Sequence, residues 1–134
     1  MQQLKAFFPE MQESWTATEA LPGGENMESV EQLMREIRAQ VTDASEDLVK
    51  RWASAYGSRI WNILGEKSSV EQLGQHFGQG LYAREVDYLC TAEWVTTSQD
   101  VLWRRSKLGL SFTQKESEAL DAYLIVKTHS NEAA

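Results

Sequence analysis

Residues 93–110 read Glu-Trp-Val-Thr-Thr-Ser-Gln-Asp-Val-Leu-Trp-Arg-Arg-Ser-Lys-Leu-Gly-Leu. The stretch has a start signal, a mixed apolar and basic body, and a stop signal, which together spell one helix. Thr97 is the N-cap candidate, and Asp100 stands three residues later in the capping-box position. Gly109 stands where a helix-terminating glycine belongs, so the helix is expected to end just before it. Arg104, four residues after Asp100, should pair with it along the helix. Arg105 shares a stripe with Val101 and Leu102. A cation there should meet a carboxylate, an aromatic face or a helix C-terminus. Arg104, Arg105 and Lys107 are the one local basic cluster, and they point to a structural or interdomain role rather than a ligand site.

Helical signals continue on both sides of this segment. Met27, Val30, Leu33, Met34, Ile37 and Val41 follow i, i+3, i+4, i+7 spacing, with Glu31 and Arg35 paired on the outer face. A helix starting near Ser45 carries Leu48, Val49, Trp52, Ala53 and Tyr56 inward; Glu46–Lys50 and Asp47–Arg51 are its expected wet-face pairs. Gly57-Ser58 breaks it, and Ile60, Trp61, Ile63 and Leu64 continue to Gly65. Ser69 caps a brief helix with Val70 and Leu73. A glycine-rich bend follows at Gly74, Gly78 and Gly80. Tyr82 to Trp94 reads as a helix with Tyr82, Val86, Leu89 and Cys90 inward. Thr113 with Glu116 is a second capping signal, opening a helix from about Gln114 to Lys127 that turns Ala119, Leu120, Tyr123 and Leu124 inward. Strand alternation is nearly absent. The expected fold is all-α, a compact bundle of about six or seven short helices with an extended N-terminal arm. The divisions are an arm over 1–26, a helical domain over 27–128 and a frayed tail over 129–134.

The chain has 134 residues, one cysteine and a formal charge of −7. A domain of this length buries roughly two-thirds of its unfolded surface, enough for a core without disulfide or metal. Cys90 reads as a small buried apolar group. The acidic balance opposes nucleic-acid binding, which runs on Lys and Arg meeting phosphates. No apolar run is long enough for a transmembrane helix, and the first residues lack the charged and apolar regions of a signal peptide. A cytoplasmic, reducing setting is the expectation.

Catalytic chemistry finds little support. His76 and His129 are far apart, no metal-ligand spacing occurs, and no metal site is expected. A Cys90–His76 nucleophile pair is disfavoured, because Cys90 falls on the inner face of a helix. Glu28 and Glu31 fall on solvated faces. The glycine bend follows no strand and has neither dinucleotide nor P-loop spacing, so its glycines read as turn residues. Five tryptophans are present. Trp52 and Trp94 are assigned to the core, and Trp15 and Trp61 are candidates for covering another surface.

The Glu93–Gly109 segment resembles the "EW…DVLWRRTKLG" signature of the C-terminal domain of aerobic, FAD-dependent glycerol-3-phosphate dehydrogenases. The resemblance covers most of the chain. Phe8-Pro9-Glu10-Met11, Trp15-Thr16 and Leu21-Pro22-Gly23-Gly24 are similar to that family's connector. Tyr56-Gly57-Ser58 and Leu64-Gly65 resemble "YGS…LLG". Leu73-Gly74, Phe77-Gly78 and Leu81-Tyr82 resemble "LGEDFG…LY", and Ala83, Glu85, Val86, Tyr88 and Leu89 match "AEVxYL". Ser106 departs from the usual Thr, and Gln75-His76 from an acidic pair.

The resemblance implies a parent enzyme that oxidises sn-glycerol 3-phosphate to dihydroxyacetone phosphate, reduces FAD and passes electrons to membrane quinone. FAD and substrate would sit in an upstream flavin domain of the same protein. No catalytic, cofactor-binding or metal residue maps onto this sequence, and the isolated chain is expected to be inactive. The implied partner is that flavin domain, with a homo-oligomer left open. No nucleic-acid contact is implied, and membrane contact comes only through the parent, which is peripheral to the cytoplasmic membrane. The residues assigned to the interdomain or structural signature are Trp15, Trp61, Trp94, Thr97, Asp100, Trp103, Arg104, Arg105, Lys107 and Gly109. Met1, just before the connector, suggests an engineered truncation, with a standalone product as the alternative. The alternatives are a free-standing helical interaction module and, behind it, a DNA-binding helical domain.

Overall fold

The computed structural model describes residues 23–25 and 29–132, with side chains to 127. Trp15, Met27 and nearly all of the expected arm lie outside the described residues. Among the described residues the structure is mostly helical, with one small sheet. Helix α1 (Val30–Gln40) starts at Ser29, whose Oγ accepts from Gln32 N at 3.1 Å. It buries Leu33 and Ile37, followed by Val41. Val30 lies in the first turn and is 38% exposed, so the inner stripe begins one turn later than the spacing suggested. Helix α2 (Glu46–Tyr56) is capped by Ser45 and buries Leu48, Val49, Trp52, Ala53 and Tyr56.

Gly57 ends α2 at φ +53. A Cβ there would collide with the Gly23 carbonyl, which accepts from Ser58 N at 2.8 Å. Glycine is therefore required twice over, for its backbone and for its bulk. The chain continues through a 3₁₀ turn at Gly57–Arg59 into α3 (Ile60–Leu64). Trp61 packs partly against the protein's own core. Gln40 Nε2 donates to the carbonyls of Gly65 and Lys67 at 2.7 and 2.9 Å. The Asp43 carboxylate accepts from Ser69 Oγ at 2.8 Å and Val70 N at 3.0 Å, anchoring the 3₁₀ turn Val70–Leu73.

The glycine-rich bend differs from expectation. It contains strands β1 (His76–Gly78) and β2 (Leu81–Tyr82), paired antiparallel with an irregular register. The joint is Gln79-Gly80, with φ of 50° and 73°. Two consecutive positive φ values are the turn geometry that matches the twist of a tight hairpin. Strands this short are too brief to show alternation. Gly80 lies so close to α2 that a Cβ would come within 2.8 Å of Leu48 Cδ1.

Helix α4 (Ala83–Glu93) follows, burying Ala83, Glu85, Val86 and Leu89, with Cys90 half-buried. Helix α5 (Gln114–Glu132) opens with the expected capping box. Glu116 Oε2 accepts from Thr113 N and Oγ1 at 2.7 and 2.8 Å. It runs past Lys127 into the segment expected to fray, because no Gly or Pro interrupts Thr-His-Ser-Asn-Glu. Leu120 and Leu124 are buried. Asp87 of α4 binds α5 through Tyr123 OH and Lys127 Nζ, both at 2.8 Å. Burial and then the Asp87 hydrogen bond push the Tyr123 phenol up, so it stays a donor.

The centre of the packing is polar. Glu85 is 1% exposed, yet its carboxylate is fully engaged. Oε1 accepts from Arg51 Nη1 and Tyr56 OH, both at 2.6 Å. Oε2 accepts from Arg51 Nη2 at 2.8 Å and Trp52 Nε1 at 3.3 Å. Arg51 Nη2 also donates to the Gly80 carbonyl at 2.7 Å. The expected wet-face role for Arg51 is thus wrong. A buried carboxylate demands a cation, and a bidentate guanidinium meets that demand better than an exposed i, i+4 pair. Glu46 likewise pairs outside its helix, with Arg38 at 3.1 Å. Burial alone would depress the Arg51 guanidinium, but the Glu85 hydrogen bond and charge outweigh it and raise its pKa. Tyr56 is pushed up by burial first and then by Glu85.

Glu85→Gln should destabilise the domain by about 3 kcal/mol, because it strands Arg51 without a counter-charge. Tyr56→Phe should cost about 1.5–2 kcal/mol, the worth of a hydrogen bond to a charged group. Urea midpoints at neutral pH check both; shifts within error of wild type would show that the network does not hold the helices. A pH effect follows from the caps. Hydrogen bonds from Thr113 hold Glu116 below its ordinary 4.5, and those from Ser69 and Val70 hold Asp43 below 3.8. Depressed folded values stabilise above the ordinary values, and that stability is lost as pH falls through the depressed ones. Tm should therefore be flat just above pH 4.5 and decline below it, with a shallower decline in Glu116→Gln.

Candidate functional site

The Glu93–Leu110 segment is not the single helix its sequence suggests. Helix α4 ends at Glu93, and the N–H groups of Trp94 and Val95 both turn back to the Leu89 carbonyl. Trp94 takes the left-handed conformation, φ 54 and ψ 36. This turn buries Val95 and leaves Trp94 85% exposed. The assignment of Trp94 to the core is thereby corrected. Helical periodicity placed it beside Leu89 and Cys90, but the periodicity ends one residue before it.

Asp100 opens the next element as expected. Its Oδ2 accepts from Thr97 N and Oγ1 at 3.2 and 2.8 Å, and Thr97 Oγ1 accepts from Asp100 N at 3.2 Å. The expected Asp100–Arg104 pair is present at 2.9 Å. The Thr97 hydroxyl, then backbone N–H groups and Arg104, hold the Asp100 carboxyl below its ordinary range.

The body over Asp100–Arg105 is wound as a π-helix. It stops at Ser106, whose N–H and Oγ both donate to the Val101 carbonyl, at 3.0 and 2.7 Å. A hydroxyl competing for a backbone carbonyl opens the turn. Lys107 is then left-handed, at φ 57, and Leu108–Leu110 form a separate 3₁₀ turn. Gly109 is therefore not the expected helix cap. It lies under the Trp103 ring, where a Cβ would come within 2.5 Å of Cε2.

Arg105 meets two of the partners its position called for. It donates to the Glu93 carbonyl at 3.1 Å and pairs with the Glu93 carboxylate at 3.3 Å. It thus fastens the π-helix to the C-terminal end of α4, where a cation is favoured. Arg104 and Lys107 remain exposed, Trp103 is 54% exposed, and Leu110 is exposed. Trp94, Thr96, Asp100, Arg104, Arg105 and Glu93 line a shallow cleft of about 250 Å³. Of the signature residues, Trp61 lies apart in α3.

This surface has cations and carboxylates already neutralising one another, an arrangement suited to recognition rather than to acid–base chemistry. Among the described residues no group of three His, Cys, Asp or Glu could hold a metal ion, and no helix is long and apolar enough to cross a membrane. The glycine hairpin does not fit a dinucleotide pyrophosphate. Gly80 N already donates to His76 Nε2 at 3.1 Å, and Gly78 lies against the Glu116 carboxylate, which would repel phosphate. Sequence reasoning missed the Arg51–Glu85–Tyr56 cluster. A signal existed: Glu85 lies three residues after Tyr82 and four before Leu89, on the apolar stripe of its helix.

Residues 14–129 match the family described as the C-terminal domain of alpha-glycerophosphate oxidase. A glycerol-3-phosphate dehydrogenase of Pseudomonas tolaasii is 50% identical over 125 residues, covering 92% of this chain and 24% of that protein. A D-erythritol 1-phosphate dehydrogenase of Brucella abortus (strain 2308) is 35% identical over 120 residues, covering 89% of this chain and 24% of its own length. The aerobic glycerol-3-phosphate dehydrogenase of Escherichia coli (strain K12) is 29% identical over 128 residues, covering 96% and 26%. The chain spans about a quarter of the length of these curated relatives. Its helical core, its capped signature segment and this match over most of its length agree: the chain belongs to the family of C-terminal domains of alpha-glycerophosphate oxidase.

Proposed function

We propose that this chain serves as the helical accessory domain of an FAD-dependent, quinone-linked glycerol-3-phosphate dehydrogenase. In this reading the FAD and sn-glycerol 3-phosphate sites lie on the flavin portion of the larger protein. The present residues support that portion's shape or assembly. The observation that carries the reading is the 50% identity over 92% of this chain to one quarter of a dehydrogenase. The geometry agrees with it. The buried charges of Arg51 and Glu85 are spent on packing, and the exposed ones of the signature on capping and pairing. A cytoplasmic location, with the larger protein peripheral to the membrane, goes with quinone as the electron acceptor.

A second reading concerns the substrate. The 35% identity to a D-erythritol 1-phosphate dehydrogenase makes another polyol phosphate the natural rival. Substrate choice would then be set by the flavin portion and not by these residues, since function follows the site rather than the fold.

The test is a chimera in which this chain replaces the matched quarter of the Pseudomonas tolaasii dehydrogenase. The chimera should bind flavin and oxidise sn-glycerol 3-phosphate, and it should keep the host's preference over D-erythritol 1-phosphate. The 134-residue chain alone should be colourless and inactive. A yellow, stoichiometrically flavinated preparation of the chain alone would contradict the reading. So would a well-folded chimera without turnover.

A further inference from the structure

Trp94 occupies a place where an L-side chain is sterically disfavoured. Helix ends that turn left-handed usually carry glycine. Glycine at position 94 would send Val95 into the core equally well. The indole is 85% exposed and so gains little burial inside this chain. Local packing therefore does not account for a tryptophan here, and an unfavourable conformation of this kind points to a use outside the local structure.

Its surroundings say what that use is. Trp94 shares its cleft with Arg104 and Arg105. Exposed Trp and Arg side by side are the composition of interface centres rather than of ordinary surface. Between residues 93 and 110 three cations face two carboxylates, whereas the whole chain carries −7. The Arg104 side chain is 78% exposed, and a solvated pair such as Arg104–Asp100 can be exchanged for a new partner at little cost. A second copy is a poor occupant. A twofold contact would bring the same patch against itself, and the carboxylates it could offer, Glu93 and Asp100, are already paired with Arg105 and Arg104.

We propose that the Trp94 face, rimmed by Arg104 and Arg105, docks into an apolar depression edged by carboxylates on the flavin portion of the larger dehydrogenase. This rests on the reading that such a portion is the domain's partner. The indole fills the depression, and the cations set the register against the acidic rim.

Hydroxyl-radical footprinting of the same chimera tests this, with Trp94 oxidation read by mass spectrometry. Trp94 in the 134-residue chain should oxidise fast. In the chimera it should slow by at least roughly fivefold, since interface centres exclude water. Arg104→Glu should restore fast oxidation, and Lys115→Glu, the same charge change elsewhere, should not. Trp94→Gly should raise the Tm of the isolated chain by relieving the left-handed strain, and should lower the Tm of the chimera. An active, flavin-loaded chimera with freely oxidised Trp94 would overturn the docking face alone. A chimera lacking flavin and activity would overturn the domain assignment, and the docking inference would fall with it. Concentration-dependent protection of Trp94 in the isolated chain would overturn it in favour of self-association.

Discussion

A carboxylate with almost no access to water cannot remain charged alone, and this fold is arranged around that fact. Glu85 enters the interior on α4, and α2 answers with three donors from two successive turns: Arg51 and Trp52, then Tyr56. The guanidinium continues to the Gly80 carbonyl, so one ion pair fixes α2, α4 and the hairpin together. Apolar packing alone would let helices slide and rotate against one another. A bidentate ion pair with satisfied lone pairs tolerates little displacement, because each lost bond leaves a buried charge exposed to a low dielectric.

The motifs that relate this chain to its family are contacts when seen in three dimensions. Gly23 of the connector accepts from Ser58 of the Tyr56-Gly57-Ser58 motif, and Tyr56 of that motif donates to Glu85. Glu93 and Arg105, twelve residues apart in the signature, bind each other through side chain and backbone. Gly109 gives Trp103 its seat. In this fold each of these residues depends on another of the set. Trp94 differs from them, since its backbone serves the turn that buries Val95 while its indole stays 85% exposed.

Much of the helical layout was legible because its determinants are local. Ser45, Ser69, Thr97 and Thr113 each precede an element they help to start, and the α2 stripe needed only spacing to be read. The misreadings each concerned a choice between alternatives that spacing alone does not settle. Arg51 could pair with Asp47 along its helix or with Glu85 across the core. Ser106 could continue a helix or bond Val101. The two short strands needed each other to exist. Trp94 looked internal because helical spacing was carried one residue too far.

The sequence by itself determined where helices begin, which stripes turn inward, and that these residues match one accessory domain. Caps and periodicity act over three or four residues, within reach of a linear reading. Tertiary structure alone decided that a glutamate lies at the centre, that an arginine turns inward to meet it, and that a tryptophan faces solvent. The first two follow from desolvation and charge pairing between segments more than thirty residues apart, whose energy does not exist until the chain has closed. The tryptophan follows from the left-handed turn that sends Val95 into the core.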